Sequence, residues 1–174
     1  MMEFLEPIKA KIPDFAKDVR LNLDSAILRS SLTPQDAVGA ALAAAFAAKS
    51  PELVAVFRQS GVLSPEEEQA ALSAAAIMGM TNVYYSFVDM ASDADLKTLP
   101  AQIRMNAYQN HGGVDKRRFE LYALSASAVG KCKFCVSSHA DVLKQEGMNA
   151  TALRDIGRIA AVVTAAAQVL ALGA

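Results

Sequence analysis

The chain has 174 residues, 17 Lys and Arg against 18 Asp and Glu, and a formal charge of −1. A chain of this length can bury a core without disulfides or metals, so we expect residues 1–174 to form one domain. The near-neutral charge lacks the basic footprint of a nucleic-acid-binding protein. Abundant Ala, with only 9 Gly and 6 Pro, favours helices over sheets. We therefore predict an all-α fold.

We expect no targeting or membrane signal at either end of this sequence. Glu3 and Glu6 do not fit the positively charged start of a secretory signal. The most apolar stretch, residues 159–174, is shorter than the roughly 20 residues that cross a bilayer, and it contains Thr164 and Gln168. These features predict a cytoplasmic protein that binds neither nucleic acid nor a membrane.

Short sequence signals predict where helices begin and end. A capping hydroxyl precedes a proline, a pattern typical of helix starts, at Thr33-Pro34, Ser50-Pro51 and Ser64-Pro65. Apolar residues follow helical spacing on one face at Phe15, Val19, Leu23 and Ile27. Gly61 and Gly147 predict helix ends, and residues 93–100 and 110–115 predict polar connections. We expect seven or eight helices.

Two segments, residues 40–48 and 70–77, are apolar on nearly every side. This pattern suits a helix at the centre of a core or at a subunit interface. The hydrophobic fraction of 53% exceeds the roughly 45–50% typical of soluble chains. We therefore expect an oligomer held by residues 37–48 or by the carboxyl-terminal helix. The alternative is a single core packed through alanine.

A shift of 51 residues aligns two parts of the chain. The matched pairs are Ala75 with Ala126, Gly79 with Gly130, and Ser86 with Ser137, while the cap Ser64 falls on Asp115. At the same shift Thr81 and Tyr84 fall on the two cysteines. The pattern predicts an internal helical duplication whose first copy lacks the reactive groups. A chance match between alanine-rich helices is the alternative.

The two cysteines of the chain, Cys132 and Cys135, form a CxxC pair. In a reducing compartment such a pair is typical of a catalytic or metal site. If a helix begins near Lys131, both cysteines and His139 lie within an arc of about 60° on one face. The free N–H groups of a first helical turn, together with Lys131 and Lys133, favour the thiolate, which attacks peroxides and disulfides.

Glu120 is the one charged residue between Phe119 and Val129. Burial on such a face predicts a raised pKa and therefore a stronger base, able to take a proton from a cysteine through His139. Because Cys135 and His139 are four residues apart and can touch on a helix, we predict that Cys135 is the attacking thiol and Cys132 the resolving thiol. The alternative is that Glu120 only favours the helix dipole.

Other interpretations compete at neighbouring residues. Cys132, Cys135 and His139 would give zinc three ligands, with His111 or Glu120 as the fourth. His111 precedes two glycines and is interpreted as an ordinary loop histidine. The basic run at residues 116–118 is interpreted as solvated, with a docking patch for an acidic lipoyl-bearing domain as the alternative.

The chain resembles the alkyl hydroperoxidase D family of the carboxymuconolactone decarboxylase-like superfamily. The resemblance lies in residues 13–25, 74–87 and 103–106, and above all in the spacing of the glutamate, the CxxC pair and the histidine from Glu120 to His139. It implies an all-helical homotrimer that reduces organic hydroperoxides. It also implies that Glu120 is the base of a proton relay, His139 its carrier, and Cys132 with Cys135 a redox-active disulfide.

The resemblance further implies no bound cofactor or metal. Electrons would come from an external dithiol, dihydrolipoamide on a lipoylated acyltransferase, and a peroxiredoxin-type alkyl hydroperoxide reductase would be a further partner. The candidate functions are a thiol peroxidase, a disulfide reductase that regenerates such a peroxiredoxin, or a non-redox scaffold. Some family members carry a second histidine between the cysteines, where this chain has Phe134, so we expect its rates or donor preference to differ.

Overall fold

A computed structural model describes residues 3–173, and this part of the chain is all-α, as predicted. Its α-helices are α1 (Glu6–Lys9), α2 (Lys17–Leu23), α3 (Pro34–Ala47), α4 (Pro51–Arg58), α5 (Pro65–Ala91), α6 (Ala94–Thr98), α7 (Asn106–Gln109), α8 (Lys116–Gly130), α9 (Lys133–Gln145) and α10 (Ala150–Ala171). Short 3-10 turns lie at Asp14–Ala16 and His111–Gly113, and a π turn lies at Asp24–Leu28. Met1, Met2 and Ala174 lie outside the described residues.

The predicted helix starts are confirmed. Thr33, Ser50 and Ser64 each accept a hydrogen bond from a backbone N–H of the first turn of α3, α4 and α5. Ser64 also forms a reciprocal capping box with Glu67. The expected seven or eight helices are too few, because residues 3–173 contain ten α-helices, three of which (α1, α6 and α7) have only four or five residues.

Two predicted features of the chain's local structure are wrong. Phe15 does not share a buried face with Leu23 and Ile27, because its side chain is 74% exposed. It lies in a 3-10 turn that precedes α2, so it is out of phase with the helix. The predicted connection at residues 93–100 contains α6, which begins because the Asp93 side chain accepts from the Leu96 N–H.

Helix α3 lies at the centre of the fold, packed against α5, α8 and α10. Every residue from Asp36 to Ala45 is buried within the chain. The alanine side chains are small enough for neighbouring helices to approach closely on all sides. Residues 37–45 therefore belong to the core of the subunit itself, and of the predicted interface segment 37–48 only residues 46–48 remain accessible.

The basic run at the start of α8 is tied into the fold. Arg117 and Arg118 each lie 3.1 Å from a carboxylate oxygen of Asp36, which is fully buried, and Arg118 lies 2.6 Å from Glu67. Lys116 pairs with Glu146 at 2.9 Å. Lys116 remains exposed, as the interpretation of a solvated run predicts, whereas Arg117 and Arg118 are half-buried and tied to Asp36, so they are not free to form a docking patch.

One helix, α5, is long and apolar enough to cross a membrane by length and composition alone. It packs against α3 and α8, and 39% of its most apolar window is buried within the chain. The apolar carboxyl-terminal stretch forms most of α10, which buries residues including Ile156, Ile159 and Val163.

The predicted duplication fits the helix starts but not the later parts of the two segments. Ser64 caps α5 at Pro65, and 51 residues later Asp115 caps α8 at Lys116. Helix α5 then continues unbroken to Ala91, whereas the second segment ends at Gly130 and resumes as α9. The difference between the two segments is therefore a single break, and the cysteines lie at it.

Candidate functional site

The cysteines lie where α8 ends and α9 begins. Lys131 adopts the left-handed conformation, with φ 55° and ψ 28°, and Cys132 is the amino-terminal cap of α9. The helix thus begins at Lys133, two residues after the predicted start. Gly130 is not the left-handed residue; instead, a Cβ there would lie 2.8 Å from Cγ of Asn82, so this glycine allows α5 to approach closely.

Cys132 and Cys135 are joined in a disulfide, with their Cα atoms 5.3 Å apart. The Sγ of Cys132 accepts a hydrogen bond of 3.2 Å from the backbone N–H of Cys135. Both residues are buried: Cys132 is fully buried, and Cys135 is 4% exposed. The pair therefore meets the unpaired N–H groups and the positive dipole end of α9, which favour a thiolate once the disulfide is reduced.

Glu120 of α8 and His139 of α9 form a buried pair beneath the cysteines. The Oε2 of Glu120 lies 2.6 Å from Nδ1 of His139, and both side chains are almost inaccessible to water. The other ring nitrogen, Nε2, lies 3.1 Å from the Sδ of Met78 on α5. Within residues 3–173, His139 makes no hydrogen bond to either cysteine sulfur in the disulfide state.

Tyr108 of α7 completes the environment of the carboxylate. Its phenol donates a hydrogen bond to Oε1 of Glu120, so each carboxylate oxygen has a partner. The side chain is half-buried. Sequence reasoning missed this residue because it lies in a four-residue helix with no periodic pattern that links it to Glu120.

The pKa of Glu120 differs from the expectation. Burial raises it, but the hydrogen bonds from His139 and Tyr108 lower it by more, so the pKa lies below its ordinary value. The prediction that burial makes Glu120 a stronger base is therefore wrong. In the opposite direction, burial and the Glu120 carboxylate raise the pKa of the Tyr108 phenol. Tyr108 thus stays protonated and Glu120 stays ionised.

Comparison with known proteins places this site in a family. Residues 94–174 match the carboxymuconolactone decarboxylase family. The chain is 43% identical over 165 residues to a protein of Brucella canis named alkyl hydroperoxide reductase AhpD, covering 94% of each chain. It is 45% identical over 172 residues to a Rhodopseudomonas palustris protein of the same name, covering 98% of this chain and 94% of the relative.

The chain belongs to the AhpD family. A third relative of that name, from Rhodospirillum centenum, is 45% identical over 168 residues. The resemblance stated from Glu120, the CxxC pair and His139 is thereby confirmed at the level of the family. The roles of the individual residues remain predictions.

The residues considered as zinc ligands have other partners or lie in another element. In the described part of the chain no group of three or more His, Cys, Asp and Glu side chains is arranged to hold a metal ion. Cys132 and Cys135 bond to each other, and His139 binds Glu120. His111 lies in a 3-10 turn, where its ring packs near those of Tyr108 and Phe119.

Proposed function

We propose that the chain is a thiol-dependent peroxidase that reduces organic hydroperoxides through a dithiol–disulfide cycle of Cys132 and Cys135. The observation that carries the proposal is the disulfide at the start of α9, one helical turn before a histidine that is paired with a buried carboxylate. The name that its relatives bear, alkyl hydroperoxide reductase, supports the same chemistry.

The cycle begins with both cysteines reduced. The Cys135 thiolate attacks the terminal oxygen of the hydroperoxide, the O–O bond breaks, and the alcohol leaves after it gains a proton. Cys135 is now a sulfenic acid. The Cys132 thiol attacks its sulfur, which releases water and forms the disulfide. The hydroperoxide has gained two electrons and the cysteine pair has lost two.

His139 is the group that accepts the proton of the attacking thiol. Glu120 stays ionised because its pKa is lowered, so we assign it the role of orienting the imidazole and stabilising the imidazolium. This differs from the relay expected from the sequence, in which Glu120 itself takes up the proton. A carboxylate bound to Nδ1 leaves Nε2 free to face the thiol, as in hydrolase triads, once it leaves Met78.

The assignment of Cys135 as the attacking thiol rests on its place four residues before His139 and on its slight exposure, since Cys132 is fully buried. Two observations favour the opposite assignment: the Cys135 N–H donates a hydrogen bond to the Cys132 sulfur, and a cavity beside the disulfide borders Cys132 but not Cys135. Peroxide treatment of single variants separates the two. Mass spectrometry is expected to show overoxidised Cys135 in Cys132→Ser, and overoxidation of Cys132 at the wild-type rate in Cys135→Ser would reverse the roles.

An external dithiol regenerates the reduced pair by disulfide exchange and leaves as its own disulfide. We propose dihydrolipoamide, carried on a lipoylated acyltransferase, as this donor, acting in the cytoplasm on a homotrimer. The second candidate is a disulfide reductase that passes electrons to a peroxiredoxin-type alkyl hydroperoxide reductase. The buried disulfide is compatible with both, because either activity uses the same pair.

The deciding experiment measures reduction of cumene hydroperoxide by the purified protein with dihydrolipoamide, thioredoxin or glutathione as the donor. We expect turnover with dihydrolipoamide, and loss of it in Cys132→Ser and Cys135→Ser. Ser138→Ala, an exposed position on the same helix, is the matched control. No turnover with any donor, combined with fast reduction of an oxidised peroxiredoxin, would overturn the peroxidase proposal in favour of the second candidate.

A further inference from the structure

Two neighbouring cavities lie beside Tyr85 and Phe134, and one of them borders the disulfide. The larger has a volume of about 390 Å³, within the roughly 300–1,000 Å³ of small-molecule sites. Its walls are mostly aromatic and aliphatic, with Tyr84, Tyr85, Val88, Leu96, Leu99 and Phe134 among them. The smaller cavity, about 160 Å³, shares Tyr85, Asp89 and Phe134 with the first and reaches Cys132. The two cavities are therefore neighbours, together called the groove here, and the inner one borders Cys132 but not Cys135.

The wall common to both cavities is an aromatic pair. The rings of Phe134 and Tyr85 lie 4.6 Å apart between centroids and are tilted by 33°, and Tyr84 meets Tyr85 edge-on at 5.4 Å. Phe134 nevertheless remains 54% exposed. An exposed aromatic face between the two cysteines favours contact with another aromatic or branched apolar group.

The two ends of the groove differ in polarity. The outer cavity is lined by six aromatic or aliphatic residues together with Asp89 and Lys97, whereas Lys131 and Lys133 border the inner one beside Cys132. A molecule with an apolar body and a polar, reactive end would therefore bind in one orientation, with its reactive end at the disulfide. An organic hydroperoxide has this form, and hydrogen peroxide has no apolar body to fill the outer cavity.

We propose that this groove binds the apolar body of the substrate, and that the aromatic pair makes the enzyme selective for hydroperoxides with aromatic or branched bodies. The inference rests on the proposed peroxidase function and adds the substrate class and the residues that select it. Phe134 and Tyr85 are specificity residues here, and the redox chemistry stays with the cysteines.

The first test compares kcat/KM for cumene hydroperoxide with kcat/KM for hydrogen peroxide. We expect this ratio to fall about tenfold in Phe134→Ala, the size of effect expected from losing an aromatic contact. Phe87→Ala is the matched control, since Phe87 is also 54% exposed and lies on α5 outside both cavities, and it should leave the ratio unchanged. An unchanged ratio in Phe134→Ala, or an equal fall for both oxidants, would overturn the proposal.

The second test does not depend on turnover. The alcohol formed from cumene hydroperoxide, 2-phenyl-2-propanol, should bind the oxidised protein and shift the NMR signals of the Tyr84 and Tyr85 rings, and Phe134→Ala should weaken this binding about tenfold. Absence of binding to the wild-type protein would overturn the proposal. Binding without hydroperoxide reduction would instead refute the peroxidase function and leave the ligand class of the groove supported.

The dithiol donor is the competing occupant of the groove. If Phe134→Ala raises only the KM for dihydrolipoamide and leaves the ratio of the two oxidants unchanged, the groove binds the donor and the proposal is overturned. Measuring both kinetic constants in the same variant therefore decides between the oxidant and the donor.

Discussion

At the scale of single residues, the hydrogen bonds of Glu120 decide how the site handles a proton. Its two oxygens bind His139 and Tyr108, and both bonds stabilise the ionised carboxylate. A carboxylate held in this way acts on the imidazole by charge and orientation. Removing its charge should therefore have the same consequence as removing the imidazole.

Glu120→Gln keeps the shape of the side chain but cannot stabilise an imidazolium. We expect turnover of cumene hydroperoxide at pH 7 to fall by about 10²-fold, and by a similar factor in His139→Gln, since acid–base assistance is typically worth 10²–10⁴. The double variant should lose little more than either single one, because groups that act as a unit are not additive. Defects that multiply in the double variant would show that the two residues act independently.

Tyr108→Phe tests the other hydrogen bond of the carboxylate. The bond from Tyr108 is one of the causes that lower the pKa of Glu120, so its removal should raise that pKa. Glu120 would then become protonated at a higher pH, so the acid limb of the profile of kcat/KM against pH should shift to higher pH. The oxidised protein should keep its wild-type circular dichroism spectrum. An acid limb that does not move would mean that Tyr108 is only a packing residue.

At the scale of elements, the contact between α3 and α8 depends on a glycine. A Cβ at Gly39 would lie 2.6 Å from the hydroxyl oxygen of Tyr122, which is itself fully buried. The tyrosine hydroxyl has no hydrogen-bond partner within the described residues, so the ring is held there by packing alone. The two helices therefore have no room for an added methyl group.

Gly39→Ala should lower the free energy of unfolding by roughly 1–3 kcal/mol, the usual cost of overpacking a core. The matched control is Gly157→Ala in α10, where an added Cβ meets nothing within 4 Å. That change should raise stability by roughly 0.5–1 kcal/mol, because alanine is the better helix former. Urea unfolding followed by circular dichroism measures both. Equal stability of the two variants would mean that α3 and α8 move apart at little cost.

The elements also show which features a sequence predicts well. The caps at Thr33, Ser50 and Ser64 depend on residues two or three positions away, so local rules identify them. The pairing of Asp36 with Arg117 and Arg118 joins residues about eighty positions apart, and no local pattern contains it. Likewise, α3 is apolar all round whether it is a core or an interface helix, so composition alone does not distinguish the two.

The residues of the candidate site also differ in how well the sequence predicts them. Cys132, Cys135 and His139 lie on one helix start, so their spacing alone predicts that they are close together. Glu120 is recognisable from the sequence because it is a lone charge on an apolar helix. Tyr108 and Met78 reach the pair from α7 and α5, and the Tyr108 hydrogen bond is one of the causes that lower the pKa of Glu120.

At the scale of the whole molecule, apolar side chains remain exposed on one side of the bundle. Phe46, Val83 and Met90 are 42%, 71% and 76% exposed and line a groove of about 540 Å³ between α3 and α5. Such exposure is characteristic of a subunit contact. Because residues 37–45 are buried within the chain, this groove replaces them as the expected interface.

We expect light scattering to give about three times the chain mass of 18.4 kDa at micromolar concentration. Val83→Asp should dissociate the assembly, because it places a charge in the groove. Leu172→Asp, at a side chain that is 73% exposed at the end of α10, tests the other predicted interface and should leave the mass unchanged. A wild-type mass near 18 kDa would refute the trimer, and dissociation by Leu172→Asp alone would move the interface to the carboxyl terminus.

The left-handed residue Lys131 has a consequence for engineering a second redox centre. Placing cysteines at Thr81 and Tyr84, the positions that match Cys132 and Cys135 at a shift of 51 residues, would put both in the middle of α5. There each backbone N–H already bonds to the preceding turn, so none is free to stabilise a thiolate. The transplanted thiols would therefore keep the ordinary pKa of a cysteine. Lowering it would require a left-handed residue just before the pair, so that one helix ends and a new one begins at the cysteines.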